Sequence, residues 1–261
     1  MEIGLVIALL LAVLVGVALG LMGGGGSILT VPILTYVLGM GPKEAIAASL
    51  FIVGVTSAVS VFSHARAGRV RWKTGLIFGA AGMAGAFLGG ILGGYIPGPV
   101  LMVLFAIMMI ATAAAMIRGR RKADVPGHPQ RTMPILRILL DGFLVGIATG
   151  LVGAGGGFLI VPALNLLGGL PMAAAVGSSL LVIAMKSFAG LSGYLLSVQI
   201  DWPVVLAFTA TAIAGSFIGS ALAGRIPETA LRKGFGIFVL VVGAFVVYQE
   251  APELVALFSS A

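Results

Sequence analysis

The chain has 261 residues, 60% of them hydrophobic and 9% charged, with a mean hydropathy of +1.20 and a net charge of +7. Soluble domains carry about 25% charged residues, so water is not the main solvent of this chain. It has no cysteine, which excludes disulfides, thiol catalysis and thiolate metal sites, and its basic excess reads as loop orientation in a membrane, with no call for nucleic acid.

Apolar runs of near-spanning length fall at 3–22, 45–63, 74–94, 99–117, 138–153, 173–195, 203–223 and 234–249. A helix needs about 20 residues to cross a hydrocarbon core of about 30 Å, and no alternating pattern suggests a barrel. The fold class is all-α, a polytopic transmembrane bundle. The first run lacks the basic start of a signal peptide and runs into GLMGGGGSILTVPIL at residues 20–34. Glycine weakens a helix interior by roughly 1 kcal/mol and proline by about 3, so this segment breaks its own helix. The piece at 27–38 reaches only about 18 Å as helix, too short to span. The economical arrangement is a hairpin: 3–22 dips in, the chain turns at Gly23–Gly26, the short piece returns, and 45–63 makes the crossing.

Further along, HARAGRVRWK (64–73) is a basic loop, and Trp72 stands at its end as an interfacial anchor. In the next run, Gly85, Gly89 and Gly93 recur at the four-residue spacing that lets helices approach closely. The polar stretch RGRRKADVPGHPQRT follows from 118. Neither His64 nor His128 has metal-ligand spacing with another histidine or acid, so neither metal nor cofactor is expected.

Beyond this stretch the sequence repeats itself without a gap at a shift of 130 positions: Gly20 meets Gly150, Pro32 meets Pro162, Ser49 meets Ser179, Trp72 meets Trp202, and Gly85 and Gly89 meet Gly215 and Gly219. The organisation is a first repeat over 1–117, a cytoplasmic linker over 118–133 and a second repeat over 134–261. GLVGAGGGFLIVPAL at 150–164 is the second copy of the glycine hairpin. Charge then swaps between equivalent loops. HARAGRVRWK is basic where LSVQIDWP is not, and YIPGP is uncharged where GRIPETALRK is basic. Placing the basic loops and linker in the cytoplasm accounts for every lysine and arginine except Lys43 and Lys186. Both termini then lie outside, and the repeats are inverted, each a glycine-broken hairpin plus three spanning helices. Simple parallel duplication is the rival arrangement, and the charge swap speaks against it.

Inverted hairpins bring two glycine tips toward the bilayer midplane. Unwound backbone there is tolerable only beside a polar cavity, and helix N-termini pointing at it favour an anion. Gly24, Gly25, Gly26 and Ser27 form one candidate tip and Gly155, Gly156 and Gly157 the other. The competing reading is that these glycines serve only packing. Lys186 lies mid-run with no carboxylate in the apolar runs, since all eight acids fall in loops or at run ends. A bound anion is one counter-ion for it; snorkelling to an interface is the other reading. Ser49, Ser179, Thr56 and Asn165 are candidate substrate-binding residues, with Ser57, Ser178 and Ser187 as further polar lining, although membrane serines often bond back to their own helix.

The doubled glycine hairpin ending in Val-Pro, in a small inverted-repeat chain, resembles the sulfite exporter TauE/SafE family of membrane transporters over essentially the whole length. The resemblance implies movement of sulfite, sulfonates such as sulfoacetate, and related oxyanions across a prokaryotic cytoplasmic membrane. Lys186 is not part of what the resemblance implies; it comes from the residue-level reading.

Together these lead to a secondary transporter, an exporter of small sulfur-containing oxyanions by alternating access. A dianion leaving a negative interior gains about 4.6 kcal/mol per 100 mV, so no coupling ion is required. The alternative is an ion-coupled importer of sulfate, thiosulfate or another small anion. A lipid-phosphate enzyme would want clustered acids, histidines or metal ligands, which the sequence does not offer, and an assembly subunit would bind no anion. The expected partners are a small anion, the lipid bilayer and a second copy as a homodimer, since the glycine faces could serve within one chain or between two.

Overall fold

The computed structural model describes residues 2–22, 26–118, 135–153, 155–156, 160–161, 164, 170, 172–222 and 228–259. The described elements are helical: α1 (Glu2–Met22), α2 (Ser27–Pro32) with a π-helical continuation over Ile33–Val37, α3 (Pro42–Arg66), α4 (Trp72–Tyr95), α5 (Gly98–Arg118), α6 (Ile135–Val152), α7 (Met172–Tyr194), α8 (Trp202–Leu222) and α9 (Glu228–Ser259). Among them, seven are long and apolar enough to cross a membrane: α1, α3, α4, α5, α7, α8 and α9. The chain is a multi-pass membrane protein. Leu10, Leu14, Phe87, Phe217 and Val241 lie exposed on its outer surface, as side chains facing lipid would.

Local chemistry sets the helix boundaries. Pro42 occupies the first turn of α3 after an extended Gly41, where its missing N–H costs nothing. Glu44 stands in that first turn and Arg66 in the last, each matching the helix dipole. Pro32 cannot donate to the α-helical ladder, and directly after it the returning arm widens into π geometry, with the Leu38 amide donating to the Ile33 carbonyl at 3.3 Å.

Two sequence expectations need correction. Segment 3–22 is not a half-depth dip, because α1 runs 21 residues, long enough to cross alone. Isolated Gly4, Gly16 and Gly20 do not stop a helix with so apolar a sequence. The arm then climbs back along α1, with Gly26 against Val15 and Leu19, and Val37 opposite Gly4. The second correction concerns the acids. Glu250 does not lie at a run end: α9 continues for 32 residues through Glu250 and Pro252, and Glu250 is 6% exposed. Tyr36 on the returning arm donates a 2.7 Å hydrogen bond to it, a partner 214 residues away that no local pattern reveals. Asp141 likewise stands within α6.

Glycine builds the interhelical seams, and it builds the same seam twice. α1 packs on α8, and α6 packs on α4. A Cβ at Gly215 or Gly219 would strike the Val13 or Val17 carbonyl of α1. One at the equivalent Gly85 or Gly89 would strike the Phe143 or Ile147 carbonyl of α6. The opposing glycines match too: Gly16 and Gly20 abut Ala212 and Ser216, while Gly146 and Gly150 abut Gly82 and Ala86. These faces therefore serve within one chain. α5 pairs with α9, and the two most enclosed long helices, α3 and α7, cross at the centre, with Gly54 against Ser187. The linker beyond Arg118 lies outside the described residues.

Candidate functional site

The second glycine turn reaches the α3–α7 crossing. Gly153, Gly155 and Gly156 have φ of 71°, 59° and 73°, the left-handed region that costs other L-residues roughly 1–2 kcal/mol. Space demands glycine here as well. A Cβ at Gly155 would press on Val53 of α3 and lie 3.2 Å from Ile183 of α7; one at Gly156 would collide with Thr149. Ser49 of α3 fixes the turn's entry by donating a 3.0 Å hydrogen bond to the Gly153 carbonyl. The Ile160 amide donates to the Gly156 carbonyl at 3.0 Å, which starts the returning segment. Gly153 donates its amide to the Thr149 carbonyl at 3.1 Å, whereas the Gly155 and Gly156 amides have no acceptor among the described residues.

Lys186 meets this turn. It is 2% exposed, so its side chain does not snorkel to the surface. Its stem lies along Gly82 of α4, where a Cβ would come within 3.0 Å of Cγ and closer still to Cδ. Its Nζ lies 3.1 Å from where a Gly156 Cβ would be. That amino group is buried with no hydrogen-bond partner among the described residues. Beside it Ser187, fully buried, also lacks a partner, and its Oγ lies 3.5 Å from the position of a Gly155 Cβ. Ser57, the equivalent of Ser187 in the first repeat, is buried and unpartnered too. Thr149 turns its hydroxyl back to the Val145 carbonyl at 2.8 Å and its methyl toward Gly156. Among the described residues the result is a lysine amino group, a hydroxyl and two amides without acceptors around one turn, with no carboxylate bonded to the lysine: an arrangement that suits an anion. Among the described residues no three histidines, aspartates or glutamates converge as a metal site would require.

Of the residues singled out from sequence, Lys186, Gly155, Gly156 and Ser187 come together, with Ser49 one step behind them at Gly153. Thr56 donates to the Ile52 carbonyl at 2.7 Å and Ser179 to the Val176 carbonyl at 2.7 Å, each within its own helix. Ser178 instead accepts the Arg71 amide at 2.8 Å, tying the basic loop to α7. Gly26 has φ −64°, an ordinary helical value, and Ser27 begins α2 fully buried. Gly24, Gly25, Gly157 and Asn165 lie outside the described residues. Sequence reasoning missed Gly82, Gly153 and Thr149. Thr149 carried a usable signal, being a hydroxyl one turn before the glycine run; Gly82 carried none, because its role is set by a side chain from another helix.

Comparison with known proteins bears on the whole chain. Residues 8–246 match the family model described as Sulfite exporter TauE/SafE. A probable membrane transporter protein of Xylella fastidiosa is 37% identical over 250 residues, covering 93% of this chain and 95% of that one. Another, from Methanocaldococcus jannaschii, is 28% identical over 264 residues, covering 94% and 97%. A third, from Bacillus subtilis, is 25% identical over 244 residues, covering 92% and 99%. No solved structure matches the chain. A family match over this much of a multi-pass helical chain leads to one conclusion: the protein belongs to the sulfite exporter TauE/SafE family of membrane transporters.

Proposed function

We propose that this protein is a secondary transporter that exports small sulfur-containing oxyanions, sulfite or an organosulfonate, by alternating access. The substrate sits at the second glycine turn, held by the Lys186 ammonium, the Ser187 hydroxyl and the free amides of Gly155 and Gly156. The observation that carries this reading is Lys186: a lysine enclosed among helices, facing bare glycine backbone, without a counter-ion among the described residues. An unpaired buried charge costs several kcal/mol, and a bound anion offsets that cost.

The crossed seams support a duplicated fold in which helix one of each half packs on helix four of the other. With the swapped loop charges they favour inverted halves, both termini outside and a basic linker inside. Movement of one half against the other would open the turn to each side alternately. A dianion leaving a negative interior gains about 4.6 kcal/mol per 100 mV, enough to drive export with no further source.

The test is flux from proteoliposomes loaded with radiolabelled sulfite, sulfate, thiosulfate or sulfoacetate. Under an imposed inside-negative potential, at least one anion leaves faster than from protein-free vesicles. Movement only inward, against that potential and driven by an ion gradient, would replace this reading with coupled import.

A further inference from the structure

We infer that Lys186 takes up a proton each time it binds an anion and releases it when the anion leaves, so that substrate and proton travel together. This rests on the reading of the second glycine turn as the substrate site. It concerns the empty site, which the transport cycle must also pass through.

The geometry forces the question of what Lys186 is when nothing is bound. Its Nζ is enclosed and has no acceptor among the described residues. Lys43 shows the contrast, since it donates to the Gly94 carbonyl at 2.6 Å from the end of α3. The elements packed around Lys186 offer no counter-ion either. α4 presents Gly82 to its stem, the turn presents Gly156, and Thr149 of α6 faces that turn with a methyl group. The titratable and charged side chains of the surrounding helices are Lys43, Glu44, His64 and Arg66 on α3, Lys73 and Tyr95 on α4, Arg137 and Asp141 on α6, and Tyr194 on α7 itself. None of them bonds to Nζ. Burying a charge without a partner costs several kcal/mol, and on this inference the empty site avoids that cost by holding the neutral amine.

An incoming anion supplies the missing counter-charge. The amine then gains one proton from the side on which the anion enters: amine, proton and anion become an ammonium–anion pair at Nζ. When the turn opens to the other side, the anion departs and the proton follows it to that side. Anion binding and protonation strengthen each other by the same factor, as linkage requires. The charge that crosses is therefore one unit less negative than the anion alone. A dianion still leaves a negative interior as a net monoanion, whereas a monoanion crosses without net charge and answers only to the proton and anion gradients.

Titration calorimetry on the purified full-length protein tests this, with sulfate and thiosulfate as probes because both stay fully ionised across the neutral range. Each is titrated in two buffers of different ionisation enthalpy, so that the proton count is read directly. In the alkaline range the expected result is uptake approaching one proton per anion bound. Affinity falls about tenfold per pH unit there, the limiting slope for one linked proton. Lys186→Arg, whose guanidinium stays charged, binds without proton uptake if it accommodates the anion, and the wild-type proton count decides the matter if it does not. Anion binding with no proton uptake at any pH would overturn the inference and leave the substrate site standing. Absence of binding by sulfate, thiosulfate, sulfite and sulfoacetate alike would remove the substrate site and this inference with it.

Discussion

The two glycine turns begin from nearly the same sequence, and their described glycines differ. At the second, Gly156 sits at φ +73° with Lys186 Nζ beside it. At the first, the equivalent Gly26 is an ordinary helical residue at φ −64°, pressed against the Val15 carbonyl of α1. The difference extends to their neighbours. The equivalent of Lys186 is Thr56, whose hydroxyl donates to its own helix at Ile52. Glycine is required at both places, for backbone conformation in one and for close packing in the other. Equivalent positions thus keep the same helix seams, while among the described residues the enclosed lysine stands beside only one of the two turns.

The sharpest way to break this comparison is to remove the polar group from each of the two equivalent residues in turn. Lys186→Met keeps the stem beside Gly82 and removes the charge. Radiolabelled anion efflux from proteoliposomes should fall at least about 100-fold, which corresponds to roughly 3 kcal/mol of lost interaction. Thr56→Val removes only a hydroxyl bonded to its own helix and should lower efflux by less than about threefold. Comparable losses from both would mean that the halves share the site equally.

Alanine at the paired glycines separates conformation from packing. Gly156→Ala forces a left-handed backbone on a side chain and pushes a methyl toward Thr149 and Nζ. Anion affinity should drop by about tenfold or more, given a strain of roughly 1–2 kcal/mol at the site itself. Gly26→Ala carries no φ penalty but drives a methyl into α1. Its melting temperature should fall by several degrees, since overpacking costs about 1–3 kcal/mol, while the folded fraction keeps its affinity. Thermal denaturation and calorimetry on the same preparations give both readouts. Reversed effects would show that the first turn is the binding turn.

How much of this was legible in the sequence follows from the range of each interaction. The helices were readable because apolar run length is local, and the repeat because glycine, proline and tryptophan recur at one fixed shift. The seams were readable as well: Gly85-x₃-Gly89 and Gly215-x₃-Gly219 mark faces that approach another backbone. Which backbone they meet is a tertiary fact, and so the sequence left open whether they join one chain or two. Lys186 was visible as a lone charge in an apolar run. Its enclosure was not, because that depends on Gly82 of α4 giving it room. Glu250 misled for the same reason, since its burial depends on Tyr36 from the far end of the chain. The differing φ values at Gly26 and Gly156 had no local signature at all.

Smaller effects sharpen the comparison further. Ser49→Ala removes the hydrogen bond that fixes Gly153 and leaves a buried carbonyl without that donor. A loss of about 1 kcal/mol, or roughly fivefold in anion affinity, should follow. Ser187→Ala should behave in the opposite way on stability. Its hydroxyl is fully buried and unpartnered, so replacing it by a methyl group removes an unsatisfied polar atom. The anion-free protein should melt several degrees higher, because such an atom costs about 1–3 kcal/mol and the swap is nearly isosteric. Affinity for the anion should fall by about threefold to tenfold in the same variant, the value of one neutral hydrogen bond. A side chain kept for folding loses stability when it is cut away, and one kept for a ligand loses affinity instead. Ser57→Ala, equally buried and unpartnered in the first repeat, supplies the internal control. If it gains stability without losing affinity, the anion touches only the Ser187 hydroxyl; if it loses affinity as Ser187→Ala does, the site reaches across the α3–α7 crossing to Ser57 as well.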